Sequence, residues 1–275
     1  MSVKLIAFDM DGTLLADDHV TIPEKNITAL RAARERGIKL VAATGRTWSL
    51  LGHAVEPLGG VDYAVSSNGA AVLEPGNGRW LYTKPIPNDK SLELIALLKR
   101  WHLPFEIYCE GQNYIENSFI PLMPATILSA LFTDYYEHYT KFVDRLEEAL
   151  GSRSMEKVDI FHVPAEHREE ISREIQAILP AQLAHAITEN MEITMAGVTK
   201  GAALEGLCRE LGISADEVMA FGDGNNDVEM LAWAGLSFGM ENGSEDAKAA
   251  AKYLAPANHL GGLGEMVQKY IFHQA

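Results

Sequence analysis

The chain alternates strand-like and helix-like segments at both ends and breaks that rhythm in its middle. Near the start, Val3–Phe8 is apolar apart from Lys4, as in a parallel strand buried on both faces. Thr21-Ile-Pro-Glu24 reads as a capping box with proline in the first turn. Ile27, Leu30 and Ala33 then recur at helical spacing until Gly37 closes the helix. Ile38–Ala43 is a second strand, Trp48, Leu51, Val55 and Leu58 mark a second helix, and Val61–Ser66 is a third strand. From Thr199 the pattern resumes. A helix runs to Leu211 and stops at Gly212, Ser214–Glu217 is another capping box, and Val218–Gly222 is a strand. A helix through Ala234 and a short strand at Leu236–Met240 follow. This alternation predicts a doubly wound α/β fold with a parallel sheet.

The middle follows a different logic. Pro75–Gly78 is the turn of a hairpin, and Glu110–Asn113 joins Phe105–Cys109 to Tyr114–Glu116 as another. Ser91–Trp101 is an amphipathic helix, and Lys141–Leu150 and Glu166–Leu179 read as helices flanking a strand at Glu156–Val163. Hairpins mixed with helices indicate an α+β layer. The expected organisation is therefore a discontinuous α/β core, residues 1–83 and 191–275, with an α+β domain inserted at 84–190. Its junctions are expected near Thr83–Pro87 and Thr188–Asn190. A chain of 275 residues can supply both cores.

Charge and cysteine usage narrow the function. A formal net charge of −15 argues against a nucleic-acid backbone as partner, and no Lys/Arg cluster offsets it. It leaves anionic small molecules open, because a bound metal inverts the local charge. Cys109 and Cys208 have no metal-site or redox spacing, and Cys208 lies among Leu204, Leu207 and Leu211 as a packed thiol. No stretch approaches the roughly 20 apolar residues that span a bilayer. The first apolar run is short and lacks a basic flank. A reducing cytoplasm is the expected compartment, with no membrane partner.

Four loops follow the carboxyl ends of the predicted parallel strands, where open α/β sheets bind ligands. They are Asp9-Met-Asp-Gly-Thr13, Thr44-Gly45-Arg46, Ser67-Asn68-Gly-Ala70 and Gly222-Asp-Gly-Asn-Asn-Asp227. They are expected to bring Asp9, Asp11, Asp223 and Asp227 to one rim. Each Asp-Gly or Asn-Gly step is also ordinary turn chemistry. An EF-hand is excluded. Its glycine at loop position six and glutamate at twelve are Val228 and Ala234 counted from Asp223, and Leu14 and Val20 counted from Asp9. A hard divalent cation with few protein carboxylates, Mg2+, suits the set. Lys200 stands in the first turn of its helix, where the dipole disfavours a cation by roughly 0.3–1 kcal/mol, so it is expected to face an anion. Jointly the residues fit phosphoryl transfer. One aspartate attacks phosphorus and becomes an acyl phosphate, while a second, two residues on, serves as acid and base. Lysine, hydroxyl and backbone donors hold the equatorial oxygens.

Asp9-Met-Asp-Gly-Thr13, Thr44-Gly45-Arg46, Lys200 within Gly197-Val-Thr-Lys-Gly201, and Gly222-Asp-Gly-Asn-Asn-Asp227, in this order, resemble the four motifs of the haloacid dehalogenase (HAD) superfamily of phosphatases. The large insert between the second and third resembles the type-2, subtype B cap of the Cof-like sugar-phosphatase branch. Ser67–Ala70 and Met230–Gly235 also look typical of it, whereas Met240-Glu-Asn-Gly243 stands where that branch usually has Met-x-Asn-Ala. The resemblance implies a Rossmann-like core with an inserted cap that closes over the site. It implies Asp9 as nucleophile and metal ligand, and Asp11 as general acid/base with its carbonyl on the metal. Asp223 is implied as a ligand, and Asp227 as a ligand or as support behind one. Thr44, Gly45 and Lys200 would hold the phosphate, Asn226 would reach the phosphate or the metal, and Arg46 and Asn68 would lie near the substrate.

The expected activity is Mg2+-dependent hydrolysis of small phosphorylated metabolites, sugar phosphates first. A phosphomutase is the second enzymatic reading, and a non-enzymatic aspartyl-phosphate module is the third. Receiver domains of that last kind are much shorter and lack an insert. A dehalogenase is disfavoured, since displacing a halide requires neither Asp11 nor Asp223.

Overall fold

The computed structural model describes residues 3–123, 125, 128, 134–184 and 190–272. The chain divides into two compact units, each with its own sheet. The larger comprises the chain up to Gly45, Gly52–Tyr82, and the chain from Thr199 onward. Its strands are β1 (Leu5–Phe8), β2 (Lys39–Ala43), β3 (Tyr63–Ser66), β4 (Ala71–Glu74), β5 (Arg79–Thr83), β12 (Val218–Gly222), β13 (Leu236–Met240) and β14 (Tyr253–Ala255). They form one sheet in the order β14-β13-β12-β1-β2-β3-β4-β5. From β14 to β3 every pairing is parallel, and β4 returns antiparallel to β3.

The chain winds outward from β1 through β2 and β3, then crosses back to β12 on the other side of β1. The winding reverses between β1 and β12, the point where such sheets open a ligand crevice. Register aligns the strand ends: Phe8 lies opposite Ala42 and Phe221. The residues that follow, Asp9, Thr44 and Asp223, therefore leave the sheet at the same end. β1 is buried throughout, as an apolar central strand must be. Leu204, Leu207 and Cys208 of helix Lys200–Leu211 pack with Leu5, Ala7, Val41 and Val65, so Cys208 is the core thiol its neighbours predict. Helices Glu24–Glu35 and Gly262–Val267 pack on each other.

The smaller unit comprises Arg46–Leu51 and Thr83–Val198. Its strands are β6 (Phe105–Cys109), β7 (Gln112–Glu116), β8 (Lys141–Val143), β9 (Lys157–Ile160), β10 (Ala181–Ala184) and β11 (Met191–Met195). They lie in the order β10-β11-β9-β6-β7-β8, antiparallel except for β7 with β8. Helices Asn88–Arg100 and Arg168–Ile178 cover one face, where Leu94, Leu98, Phe105, Ile107, Val158, Ile171 and Ile175 form the core.

Three sequence expectations need correction. Thr21 caps nothing: Pro23 takes the cap position of helix Glu24–Glu35 without a side-chain cap. Lys141–Leu150 is not one helix, because Lys141–Val143 pairs with β7 and only Leu146–Leu150 is helical. The boundary at residue 191 falls too early. Met191, Ile193 and Met195 alternate with Glu192 and Thr194, and this strand joins β9 and β10 in the smaller sheet, so the chain re-enters the larger unit at Thr199. Of the expected second junction, Thr188 and Glu189 lie outside the described residues. No helix among the described residues is long and apolar enough to cross a membrane.

Candidate active site

Four loop ends of the larger sheet build the site. After β1 the chain leaves strand geometry at once. Asp9 is followed by a tight turn, closed by Leu14 N donating to the Asp9 carbonyl at 3.2 Å. Gly12 adopts φ +78°, and a β-carbon there would stand 2.3 Å from Asp223 Oδ2, so the position requires glycine twice over. Thr13 Oγ1 donates to Asp223 Oδ1 at 2.6 Å, tying the first loop to the fourth. The fourth loop is folded by its own last residue. Asp227 is buried, and its Oδ2 accepts from the backbone N of Asp223 and of Gly224, each at 3.0 Å.

Helix Lys200–Leu211 opens with Thr199 as cap, whose Oγ1 accepts from Ala202 N at 3.1 Å. The Lys200 side chain is fully buried and donates to Asp9 Oδ1 at 2.8 Å and to Asp227 Oδ1 at 2.7 Å. The cation at the unfavourable helix end thus does face anions. Burial works against its charge, but Asp227 and Asp9 outweigh burial and raise its pKa.

The carboxylates outnumber the lysine. Asp9, Asp223 and Asp227 each offer an oxygen, and these oxygens lie within 4.8 Å of one another. With all three ionised, one ammonium leaves two negative charges unbalanced. Burial drives the Asp9 pKa well above the carboxylate range, and Asp227 and Asp223 add to it against the opposing Lys200. Asp223 is pushed up to about 6 by burial and then by Asp227, with its bond from Thr13 acting the other way. Hard oxygen donors carrying a net excess of two negative charges fit Mg2+ in both ligand type and charge.

Thr44 and Asn68 meet beside this group. Thr44 is buried, and its carbonyl accepts from Asn68 N at 3.0 Å. Asn68 adopts the left-handed φ of +57°, and its Oδ1 accepts from Asn226 Nδ2 at 3.2 Å, joining the third loop to the fourth. Gly45 closes its segment of the larger unit, whereas Arg46 groups with the smaller one. The Asp11 side chain departs from expectation. It does not join the carboxylate group: it is 39% exposed, and its Oδ1 lies 2.9 Å from His19 Nδ1. Alternation along a strand would have put it beside Asp9, but the strand ends at Phe8.

Sequence reasoning passed over several supporting residues. Thr13 is one, although it directly follows Asp-Gly. A set of amides behind the first loop is another. Asn242 Nδ2 donates to the Gly12 carbonyl at 2.8 Å, and its Oδ1 accepts from Asn258 N at 3.0 Å. Asn258 Nδ2 donates to the Leu15 carbonyl at 2.9 Å, and Asn26 Nδ2 to the Leu14 carbonyl at 3.1 Å. Asn26 and Asn258 are polar side chains at buried positions, and these bonds satisfy their amide nitrogens.

Comparison with known proteins gives a consistent picture. A family model described as haloacid dehalogenase-like hydrolase matches residues 6–267. The chain is 29% identical to 5-amino-6-(5-phospho-D-ribitylamino)uracil phosphatase YbjI of Escherichia coli K12, covering 100% of this chain and 98% of that protein. It is 30% identical to HMP-PP phosphatase of Escherichia coli O8, covering 98% and 95%. It is also 28% identical to the chloroplastic endoribonuclease YBEY of Arabidopsis thaliana, over 96% of this chain but only 46% of that longer protein. The solved structure of the HAD subclass IIB sugar phosphatase BT4131 has the same fold, with a TM-score of 0.82 at 24% identity over 98% of this chain and 99% of that one.

Proposed function

This chain belongs to the haloacid dehalogenase-like hydrolase family, and on that premise we propose that it is an Mg2+-dependent phosphatase of small phosphorylated metabolites, acting through an aspartyl-phosphate. The observation that carries the reading is the burial of Lys200 between Asp9 and Asp227, with Asp223 alongside. Such an arrangement suits the binding of a phosphoryl group next to a carboxylate nucleophile.

In this reading an Asp9 oxygen attacks phosphorus in line with the ester oxygen, forming the P–O bond of an acyl phosphate as the ester P–O bond breaks. Asp11 gives its proton to the departing oxygen. A water then attacks the same phosphorus and loses its proton to Asp11, and phosphate leaves as the Asp9 carboxylate is restored. Half-exposure suits Asp11 to this double role, because solvent supports both of its protonation states. Lys200 and Thr44 would hold equatorial oxygens, with backbone N–H groups of the loops and Asn226. Asp9, Asp223 and Asp227 would hold Mg2+, which when bound would offset the negative charge these carboxylates crowd together.

The named relatives act on a phosphoribitylamino-uracil and on HMP-PP, and BT4131 is a sugar phosphatase. The proposed substrates are accordingly small monophosphates and diphosphates of sugars and of heterocycles carrying sugar-like chains. The test is hydrolysis of p-nitrophenyl phosphate by wild type and Asp9→Asn, each with Mg2+ and with EDTA, followed by a metabolite panel. Activity is expected only in wild type with Mg2+. Full activity in Asp9→Asn would remove Asp9 as nucleophile and the mechanism with it.

A further inference from the structure

The mechanism leaves one contact unused. Asp11 lies 2.9 Å from His19 Nδ1, and the loop that presents His19 is more constrained than a surface connection needs to be. Asp18 folds it: Oδ1 accepts from Val20 N at 3.0 Å and Thr21 N at 2.7 Å, and Oδ2 accepts from Thr21 Oγ1 at 2.5 Å. These bonds, led by that of the Thr21 hydroxyl, hold the Asp18 carboxyl below its ordinary range. Ala16 N closes the loop on the Thr21 carbonyl at 2.8 Å, and His19 N donates to the Ala16 carbonyl at 3.0 Å. At the tip His19 adopts φ +58°, a conformation that side chains bearing a β-carbon rarely take. Strain of this kind persists only where the surroundings over-determine it, and it concentrates at working positions. What the strained backbone achieves here is to bring an imidazole nitrogen to Asp11.

We propose that His19 is a positioning residue that holds the Asp11 carboxyl group for acid and base duty. The inference rests on the phosphatase reading above. An imidazole nitrogen suits the task because the neutral ring offers a donor in one tautomer and an acceptor in the other. It can therefore pair with Asp11 whether that carboxyl carries its proton or not. An aliphatic side chain offers neither role, and a lysine offers only the donor.

The two half-reactions make the proposal separable from a structural role. Proton donation by Asp11 matters for an alkoxide leaving group and hardly at all for p-nitrophenolate, which departs without a proton. The measurement is kcat/KM, which reports steps through phosphorylation of the enzyme. It is taken for p-nitrophenyl phosphate and for the sugar phosphate that wild type hydrolyses best. His19→Ala is expected to lower kcat/KM for the sugar phosphate about tenfold, part of the 10²–10⁴ that general acid catalysis supplies. The p-nitrophenyl phosphate value should stay within about twofold.

His19→Asn should restore most of the sugar-phosphate activity, since its amide offers a donor and an acceptor and asparagine tolerates left-handed φ. His19→Gly should melt no lower than wild type, because it relieves the strain, yet keep the kinetic defect of His19→Ala. Equal losses on both substrates, or a His19→Asn no better than His19→Ala, would overturn the positioning role and leave the phosphatase reading intact. A wild type that hydrolyses neither substrate would overturn both.

Discussion

Lys200 shows how a single residue ties stability to chemistry here. Its ammonium is buried between Asp9 and Asp227, and removing one member of a buried ion group costs about 3–5 kcal/mol because the rest is left uncompensated. Lys200→Met is expected at the lower end, about 3 kcal/mol, since Asp9 can take up a proton. Urea denaturation in EDTA measures it, and Lys200→Met/Asp227→Asn should recover part of the loss. A Lys200→Met protein as stable as wild type would contradict the buried ion group. Gly12→Ala tests the loop instead of the charge. Its β-carbon would collide with Asp223 Oδ2 at 2.3 Å, in a backbone conformation it disfavours, so Asp223 must move. Calorimetric Mg2+ binding should weaken at least tenfold. An unchanged affinity would mean that Asp223 holds no metal. Most of this site is legible in the sequence, because Asp9, Thr44, Lys200, Asp223 and Asp227 each follow a strand end or open a helix. The direction of Asp11 is not legible, since it depends on the turn at Gly12 and on a histidine eight residues away. The amides at Asn26, Asn242 and Asn258 are likewise hidden, because they act through backbone carbonyls distant in sequence.

At the level of elements, the smaller sheet carries an unusual row. Register places Glu106 of β6, Asp159 of β9 and Glu192 of β11 side by side on neighbouring strands. Lys157 reaches Glu192 Oε1 at 2.5 Å and Asp159 Oδ2 at 3.7 Å, and Glu106 accepts from Tyr108 OH at 2.8 Å and Asn113 Nδ2 at 2.9 Å. One lysine cannot neutralise three carboxylates. Burial, and then the charges of Glu192 and Glu106, push Asp159 up to about 8 against the pull of Lys157. In the unfolded chain its pKa is near 3.9. Between these values the folded state holds a proton that the unfolded state has lost, so stability falls as pH rises through this window. Asp159→Asn keeps the amide-like shape of the protonated acid and still accepts from Asn190 Nδ2. It should flatten the decline between about pH 4 and pH 8 and stabilise the protein at about pH 9, on the order of 2 kcal/mol after relaxation. Thermal melts across this range measure it, and a steeper decline in Asp159→Asn would refute it. Alternation in Met191–Met195 marks this strand plainly, but which sheet it joins is decided by β9 and β10, which no local pattern reveals. The same holds for Lys141–Val143, whose apolar spacing mimics the start of the helix at Leu146 until β7 claims it.

Over the whole molecule, a net charge of −15 means that divalent cations gather diffusely around the surface, so stabilisation by Mg2+ is not in itself evidence of a site. The pH dependence separates the two. All three clustered carboxylates come from the larger unit, and Asp9 and Asp223 have pKa values raised by burial and by the Asp227 charge beside them. Without metal, Asp223 ionises near 6 in the folded state and near 3.9 in the unfolded chain. Its ionisation therefore destabilises the metal-free protein as pH climbs from about 4 to about 6. A cation among the three oxygens reverses the balance, because only the ionised carboxylates bind it and each proton displaced at low pH costs affinity. At free Mg2+ about a hundred times Kd, the expected stabilisation is about 2.7 kcal/mol. It should appear in full near pH 8 and shrink as pH falls through about 6. Asp223→Asn should abolish most of it while leaving the diffuse component, which also depends little on pH above the ordinary carboxylate range. Melting curves with Mg2+ and with EDTA at about pH 5 and pH 8 decide the matter. An equal shift at both values, retained in Asp223→Asn, would assign Mg2+ to the surface and leave the carboxylate group to Lys200 alone.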